Sequence, residues 1–180
     1  MRILAIRGSL RAASINAAVL EAAALLAPAG LSIVQYGGLA ELPIFNPDLD
    51  KDFPPDPVRR LREDVGLSDG LLIASPEYAH GVAGGLKSAL DWLVGGPEFY
   101  QKPVAVLNAS ARAVHADAHL RETLVTMAAR LIEPASITLG LPTAGVVAAG
   151  IVADPLLRGE LAEALRQFAQ AIQGCAEPVA

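Results

Sequence analysis

Two short stretches hold most of the side chains that could do chemistry. The first is Gly8-Ser9-Leu10-Arg11-Ala12-Ala13-Ser14-Ile15-Asn16, a small polar turn with two hydroxyls, an arginine and an asparagine. Where such a turn leads from a strand into a helix, the helix start offers an anion unpaired amides and a partial positive charge. Ser9, Ser14 and Asn16 can each donate a side-chain hydrogen bond to a phosphate oxygen. Arg11 can add a charge-assisted one, worth about 1.5–3 kcal/mol when well placed. The same residues also read as an ordinary capped helix with a surface arginine. Lysine-bearing P-loops and G-x-G-x-x-G loops are absent, which disfavours triphosphate and dinucleotide binding in those modes.

The second stretch is Ser75-Pro76-Glu77-Tyr78-Ala79-His80-Gly81-Val82-Ala83-Gly84-Gly85-Leu86-Lys87. Its glycines let backbone approach a flat ligand closely, because little side chain stands in the way. Tyr78 can lie against a planar ring, or it can be the exposed tyrosine of a plain βα loop. Other reactive types are few. His115 and His119 stand at helical i, i+4 spacing with Asp117 between them, but nothing completes a metal-ligand set, and two surface histidines on one helix is the commoner arrangement. Cys175 stands alone, so it forms no internal disulfide and reads as a free thiol near a helix end.

The elements that must carry these turns follow from composition and pattern. With 180 residues, the chain fits one domain spanning 1–180. Apolar residues make up 53% but aromatics only 4%, so the core must be built from Ala, Val, Leu and Ile. A net charge of −5 without any basic run argues against a nucleic-acid surface. The N-terminal apolar run ends at Arg7, too early for a signal peptide, and the Ala-rich stretch from Ala17 to Ala27 is too short to span a bilayer. A soluble, cytoplasmic protein with no membrane partner is the expectation.

Strand-like and helix-like segments alternate, the mark of a parallel sheet covered on both faces. Strands are expected at Arg2 to Ile6, Leu31 to Tyr36, Gly70 to Ala74, Val104 to Leu107 and Ala135 to Leu139. Helices are expected at Ser14 to Ala27, Val58 to Val65, Leu86 to Val94, Ala116 to Arg130 and Pro155 to Gln173, the last capped by Asp154. Leu39 to Pro57, with five prolines, reads as a long loop of the kind that often lines a site. The pattern predicts a doubly wound α/β sandwich whose five strands run in the order 2-1-3-4-5. In that topology a ligand sits beyond the carboxyl ends of strands one and three, where the order reverses. Both unusual stretches begin there.

Taken together, the two turns resemble the NADPH-dependent FMN reductase family, which includes quinone, azo-dye and chromate reductases. The likeness is carried by Gly8-Ser9-Leu10-Arg11 with Ser14 and Asn16, and by Pro76-Glu77-Tyr78 with Gly81, Gly84, Leu86-Lys87 and Leu90-Asp91-Trp92. Leu42-Pro43-Ile44-Phe45-Asn46-Pro47-Asp48 also looks like that family's loop after strand two. The resemblance implies a flavodoxin-like fold and FMN as cofactor. On it, Ser9, Arg11, Ser14, Ile15 and Asn16 hold the FMN phosphate end, while Pro76, Glu77, Tyr78 and Ala79 border the isoalloxazine ring. It also implies a contribution from the loop Asn108-Ala109-Ser110-Ala111-Arg112, with Ser110 the residue singled out. The chain departs from the family at Ala79, usually asparagine, at Ala83, commonly proline, and after Ser110, where a glycine-rich run is missing.

The implied activity is transfer of electrons from NADPH or NADH, through bound FMN, to a small acceptor such as a quinone, azo compound, metal oxyanion or free flavin. No side chain is assigned as catalytic, because hydride transfer to a flavin needs no acid or base from the protein. His80 reads as an exposed loop histidine, or as a proton donor to a reduced quinone. Arg112 is a candidate for the 2′-phosphate of NADPH. Trp92 reads equally as core or as part of a subunit face, and the resemblance implies a homodimer or a homotetramer. A flavodoxin-like electron carrier without turnover of its own, and a phosphate-sensing domain without flavin, are the competing readings.

Overall fold

Runs such as Ile3-Leu4-Ala5-Ile6 and Leu71-Leu72-Ile73 have no polar face, so strands made from them must be covered on both sides. The computed structural model describes residues 1–142 and 144–176, less the side chains of 175 and 176, so Cys175 lies outside the described side chains. In chain order the elements are β1 (Arg2–Arg7), α1 (Ile15–Leu25), β2 (Ser32–Gln35), α2 (Asp56–Gly66), β3 (Gly70–Ala74), β4 (Glu77–Tyr78), β5 (Gly81–Val82) and α3 (Gly84–Val94). There follow β6 (Pro103–Asn108), α4 (Val114–Thr126), β7 (Arg130–Leu131), β8 (Ile137–Thr138), α5 (Ala148–Ala153) and α6 (Pro155–Ala176).

The main sheet is parallel, in the order β2-β1-β3-β6-β7, with β8 also pairing β6. It is the order expected of a flavodoxin-like sandwich, except that the last strand is broken in two. Alternation along each central strand sends side chains to opposite layers. Ile3, Ala5, Leu72, Ala74, Ala105 and Leu107 meet α1 and α6, where Leu20, Leu161, Leu165 and Phe168 are buried. Leu4, Ile6, Leu71, Ile73, Val104 and Val106 meet α2, α3 and α4 through Leu61, Leu90, Trp92 and Leu124.

Several boundaries differ from expectation for identifiable reasons. The helix expected to reach Arg130 stops at Thr126, because Ala128 takes a left-handed φ of 59°. The amide of Ala129 then donates to the Leu124 carbonyl and that of Ala128 to the Val125 carbonyl, the paired bonds of a Schellman stop. Such stops usually carry glycine, and alanine here hides the signal. The strand expected at Ala135 to Leu139 shrinks to β8 because Pro134 sits in a 3-10 turn over Glu133–Ala135.

The long loop after β2 contains two 3-10 turns, Gly38–Glu41 and Pro47–Leu49. It packs on α3 and does not line the main cleft. The Trp92 indole Nε1 donates to the Pro43 carbonyl at 2.8 Å, and the Phe45 ring meets Trp92 edge-on at 5.0 Å. Trp92 is fully buried, so the core reading of this residue holds. Arg62 of α2 fastens the far end of the loop. Its Nη2 donates to both Asp50 oxygens, at 2.8 and 3.0 Å, and to the Trp92 carbonyl at 2.7 Å.

Candidate functional site

A cleft of about 660 Å³ opens at the carboxyl ends of β1, β3 and β6, within the range of small-ligand pockets. It brings together Ser9, Arg11, Ser14, Ile15, Asn16, Pro76, Glu77, Tyr78 and Ser110. Ala79 is the exception among the expected residues. It lies at the tip of the β4–β5 hairpin and is absent from the cleft lining.

The first loop makes one end of the cleft. The Gly8 amide donates to the Ala74 carbonyl at 2.8 Å, which ties the exit of β1 to that of β3. Ser9 is 2% exposed, and its Oγ accepts the Arg11 amide at 3.3 Å, folding the loop back on itself. Ser14 is the N-cap of α1, its Oγ accepting the Ala17 amide at 3.4 Å. Both hydroxyl protons stay available to an oxygen in the cleft. The first intrahelical bond runs from the Ala18 amide to the Ser14 carbonyl, so the Ile15 and Asn16 amides precede the helical ladder. Asn16 is 3% exposed, and its Oδ1 has no hydrogen-bond partner among the described residues. Arg11 is exposed and forms no ion pair among the described residues.

The second and third loops make the other end. Residues 77–82 form the β4–β5 hairpin, whose two central residues, Ala79 and His80, carry φ of 49° and 59°. Two positive φ values in succession mark a type I′ turn. Tyr78 is half exposed over the cleft. Glu77 lines the cleft too, but its carboxylate turns to the start of α4, the helix that follows the third loop. Its Oε2 accepts the amides of His115 and Ala116, each at 2.9 Å, and its Oε1 lies 3.1 Å from His80 Nδ1. The amide of Ala116 foremost, then that of His115, holds the Glu77 carboxyl below the ordinary carboxylate range. In the third loop Asn108 Oδ1 accepts the Ser110 amide at 3.1 Å, and Ser110 Oγ accepts the Arg112 amide at 3.3 Å.

Residues matching 1–144 fit the family model of NADPH-dependent FMN reductases. The chain belongs to that family. The FMN reductase chain is 37% identical over 179 residues to an NAD(P)H-dependent FMN reductase of Pseudomonas aeruginosa, covering 96% of this chain and 94% of that one. It is 32% identical over 139 residues to a quinone reductase of Escherichia coli, covering 73% of each. Among solved structures it resembles the flavoenzyme NAD(P)H:(acceptor) oxidoreductase of Paracoccus denitrificans, with a TM-score of 0.72 and 26% identity over 94% of this chain and 97% of that one. This FMN reductase is accordingly an oxidoreductase that works with FMN and a nicotinamide.

The residues present fit FMN. A helix start, two hydroxyls and an unpaired arginine gather where a phosphate is wanted. The buried Oδ1 of Asn16, an acceptor with no donor among the described residues, is an atom that a hydroxyl of the FMN ribityl chain would satisfy. Some of the wall was not visible to sequence reasoning. Ala144, Gly145, Val146 and Val147 close the cleft before α5, and Glu21 of α1 also lines it. The segment 144–147 carries no side chain that announces chemistry, and only the glycine, at φ 76°, hints at a turn there. No group of three or more His, Cys, Asp or Glu side chains is placed to hold a metal among the described residues.

Proposed function

We propose that this chain uses the cleft to hold FMN and to carry electrons from NADPH or NADH to a quinone-type acceptor. The observation that carries the reading is the convergence of the first loop, the hairpin and the third loop on one cleft of cofactor size. In the proposed arrangement Ser9, Arg11, Ser14, Ile15 and Asn16 hold the phosphate end, and Pro76, Glu77, Tyr78 and Ser110 border the ring. Ala79 acts through the hairpin turn rather than by contact.

Bound FMN supplies the two-electron chemistry, and the net change is oxidation of NAD(P)H with reduction of a quinone to its hydroquinone. The chain's own residues bind, orient and screen. The amides at the start of α1 and the hydroxyls of Ser9 and Ser14 are fixed before any ligand arrives, so little reorganisation opposes binding. Tyr78, half exposed, offers an aromatic face at the open side, where an acceptor or a nicotinamide would stack. Arg112 lines the same cleft without an ion pair among the described residues, and is the group proposed to face the nicotinamide's 2′-phosphate.

The same proposal takes 1–180 as one domain and a homodimer or homotetramer as the assembly. Ile44 and Phe53, 87% and 93% exposed on the long loop, are the apolar surface that supports association. The acidic net charge and the lack, among the described residues, of a helix long and apolar enough to cross a membrane favour the cytoplasm.

Absorbance of the purified protein after addition of FMN tests cofactor binding, and steady-state oxidation of NADPH and NADH with a quinone panel tests turnover. Binding with turnover supports the proposal. Binding without turnover would favour the electron-carrier reading, and no binding would remove both.

A further inference from the structure

The β4–β5 hairpin is poorly equipped to hold itself. It has two residues per strand, it pairs with no strand of the main sheet, and both residues of its turn sit in the left-handed region without being glycine. Two-stranded hairpins of that kind are marginal in water, and a left-handed residue other than glycine adds strain, most of all Ala79. Helix α4 has the opposite deficiency. Its N-cap is Ala113, which has no side chain to satisfy the first amides.

Glu77 answers both. Its Oε2 takes the His115 and Ala116 amides of α4, and its Oε1 faces His80 at the hairpin tip. The titratable groups facing this carboxylate are His80 from the hairpin and His115 from α4, whose rings meet edge-on at 4.4 Å. On one side of the clamp Pro76 and Tyr78 line the cleft. On the other, Ser110, Arg112 and Ala113 line it.

We propose that Glu77 is a positioning residue: its carboxylate, by capping α4 from the hairpin, locks the second loop to the third and so sets FMN affinity from the ring end of the cleft. The inference rests on the FMN reading of the site. It gives Glu77, beyond its place on the cleft wall, a role exerted through the backbone of two loops. The first loop and α1, which hold the phosphate end, make no hydrogen bond to this clamp among the described residues.

The test is the affinity of wild type, Glu77→Gln and Glu77→Ala for FMN and for riboflavin, read by flavin fluorescence, with hydrogen exchange of the His115 and Ala116 amides followed without flavin. Glu77→Ala should weaken both flavins by the same factor, about tenfold, the typical cost of a lost cap. Its His115 and Ala116 amides should lose protection. Glu77→Gln keeps an oxygen that accepts both amides and should stay within about threefold of wild type, the residual cost of the lost charge at a helix start. Should Glu77→Ala fail to fold, Glu77→Asp, one methylene too short to reach α4, carries the same comparison.

Affinity of Glu77→Ala within about twofold of wild type for both flavins would overturn the inference and leave the reading of the site standing. A general loosening would reach the phosphate end and reduce the advantage of FMN over riboflavin; that result would also overturn it. Wild type that binds neither flavin would overturn the reading of the site itself.

Discussion

A β-carbon on Gly8 would stand 2.8 Å from the Ser75 hydroxyl and 3.2 Å from the Ser75 Cα, so the first two loops of the site touch through the absence of a side chain. The hydroxyl could rotate away, but the backbone could not. Gly8→Ala should therefore push the exits of β1 and β3 apart, destabilising the protein by about 1–3 kcal/mol, the usual cost of overpacking. Urea denaturation measures the loss, and FMN affinity should fall with it.

Arg11 and Ser14 should matter for FMN far more than for riboflavin, because both stand at the start of α1 where a phosphate would sit. If Arg11 holds the phosphate as proposed, Arg11→Ala removes a charge-assisted hydrogen bond, and about a tenfold or greater loss of FMN affinity is expected. Riboflavin binding should be unchanged. An equal loss for both ligands would place the arginine elsewhere.

Ala79 occupies the first central position of the type I′ turn at φ 49°. Asparagine tolerates that conformation better than alanine does. Ala79→Asn should stabilise the protein by up to about 1 kcal/mol, a gain that chemical denaturation would register. An asparagine here would act through the backbone of the turn, without any contact with flavin.

Arg62 and Asp50 are 16% and 17% exposed, so the pair that fastens the long loop is nearly buried. Arg62→Ala leaves Asp50 and the Trp92 carbonyl without their donor and should cost about 3 kcal/mol. Trp92 is the single tryptophan of the chain and is fully buried, which makes its fluorescence a direct reporter of this unfolding.

Tyr36 should make the protein sensitive to alkali. Burial first, then the nearby Asp64 and Glu41 carboxylates, pushes its phenol up to about 12 from 10.0. The unfolded chain gives up that proton near pH 10 and the folded chain holds it to about 12, so ionisation favours unfolding across that window. The stability of wild type relative to Tyr36→Phe should be constant below pH 10 and decline between pH 10 and 12. A constant difference throughout would contradict this account.

Much of the fold was legible because its signals are local. Ser14 and Pro28 punctuate α1, and unbroken apolar runs mark β1, β3 and β6 as central strands. What escaped reading depends on unusual residues in familiar backbone shapes. Alanine at 128 ends α4 where glycine is usual, and Ala79-His80 makes a turn that Asn-Gly would have advertised. The first loop of the site was readable from its hydroxyls, arginine and asparagine, and Ser110 came from family likeness. The reach of Glu77 to α4 was not readable, since it joins residues 38 and 39 positions apart. Residues 144–147 were silent because they contribute backbone and methyl groups.

The interrupted last strand has a bearing on how copies of this chain meet. β7 and β8 are two residues each, separated by a proline-containing turn, and at the opposite margin β2 has only four residues. Neither margin presents a long row of free amides and carbonyls on which another chain could zip up. Edges this short offer a second chain little β-template, so any contact between copies would have to be made by side chains.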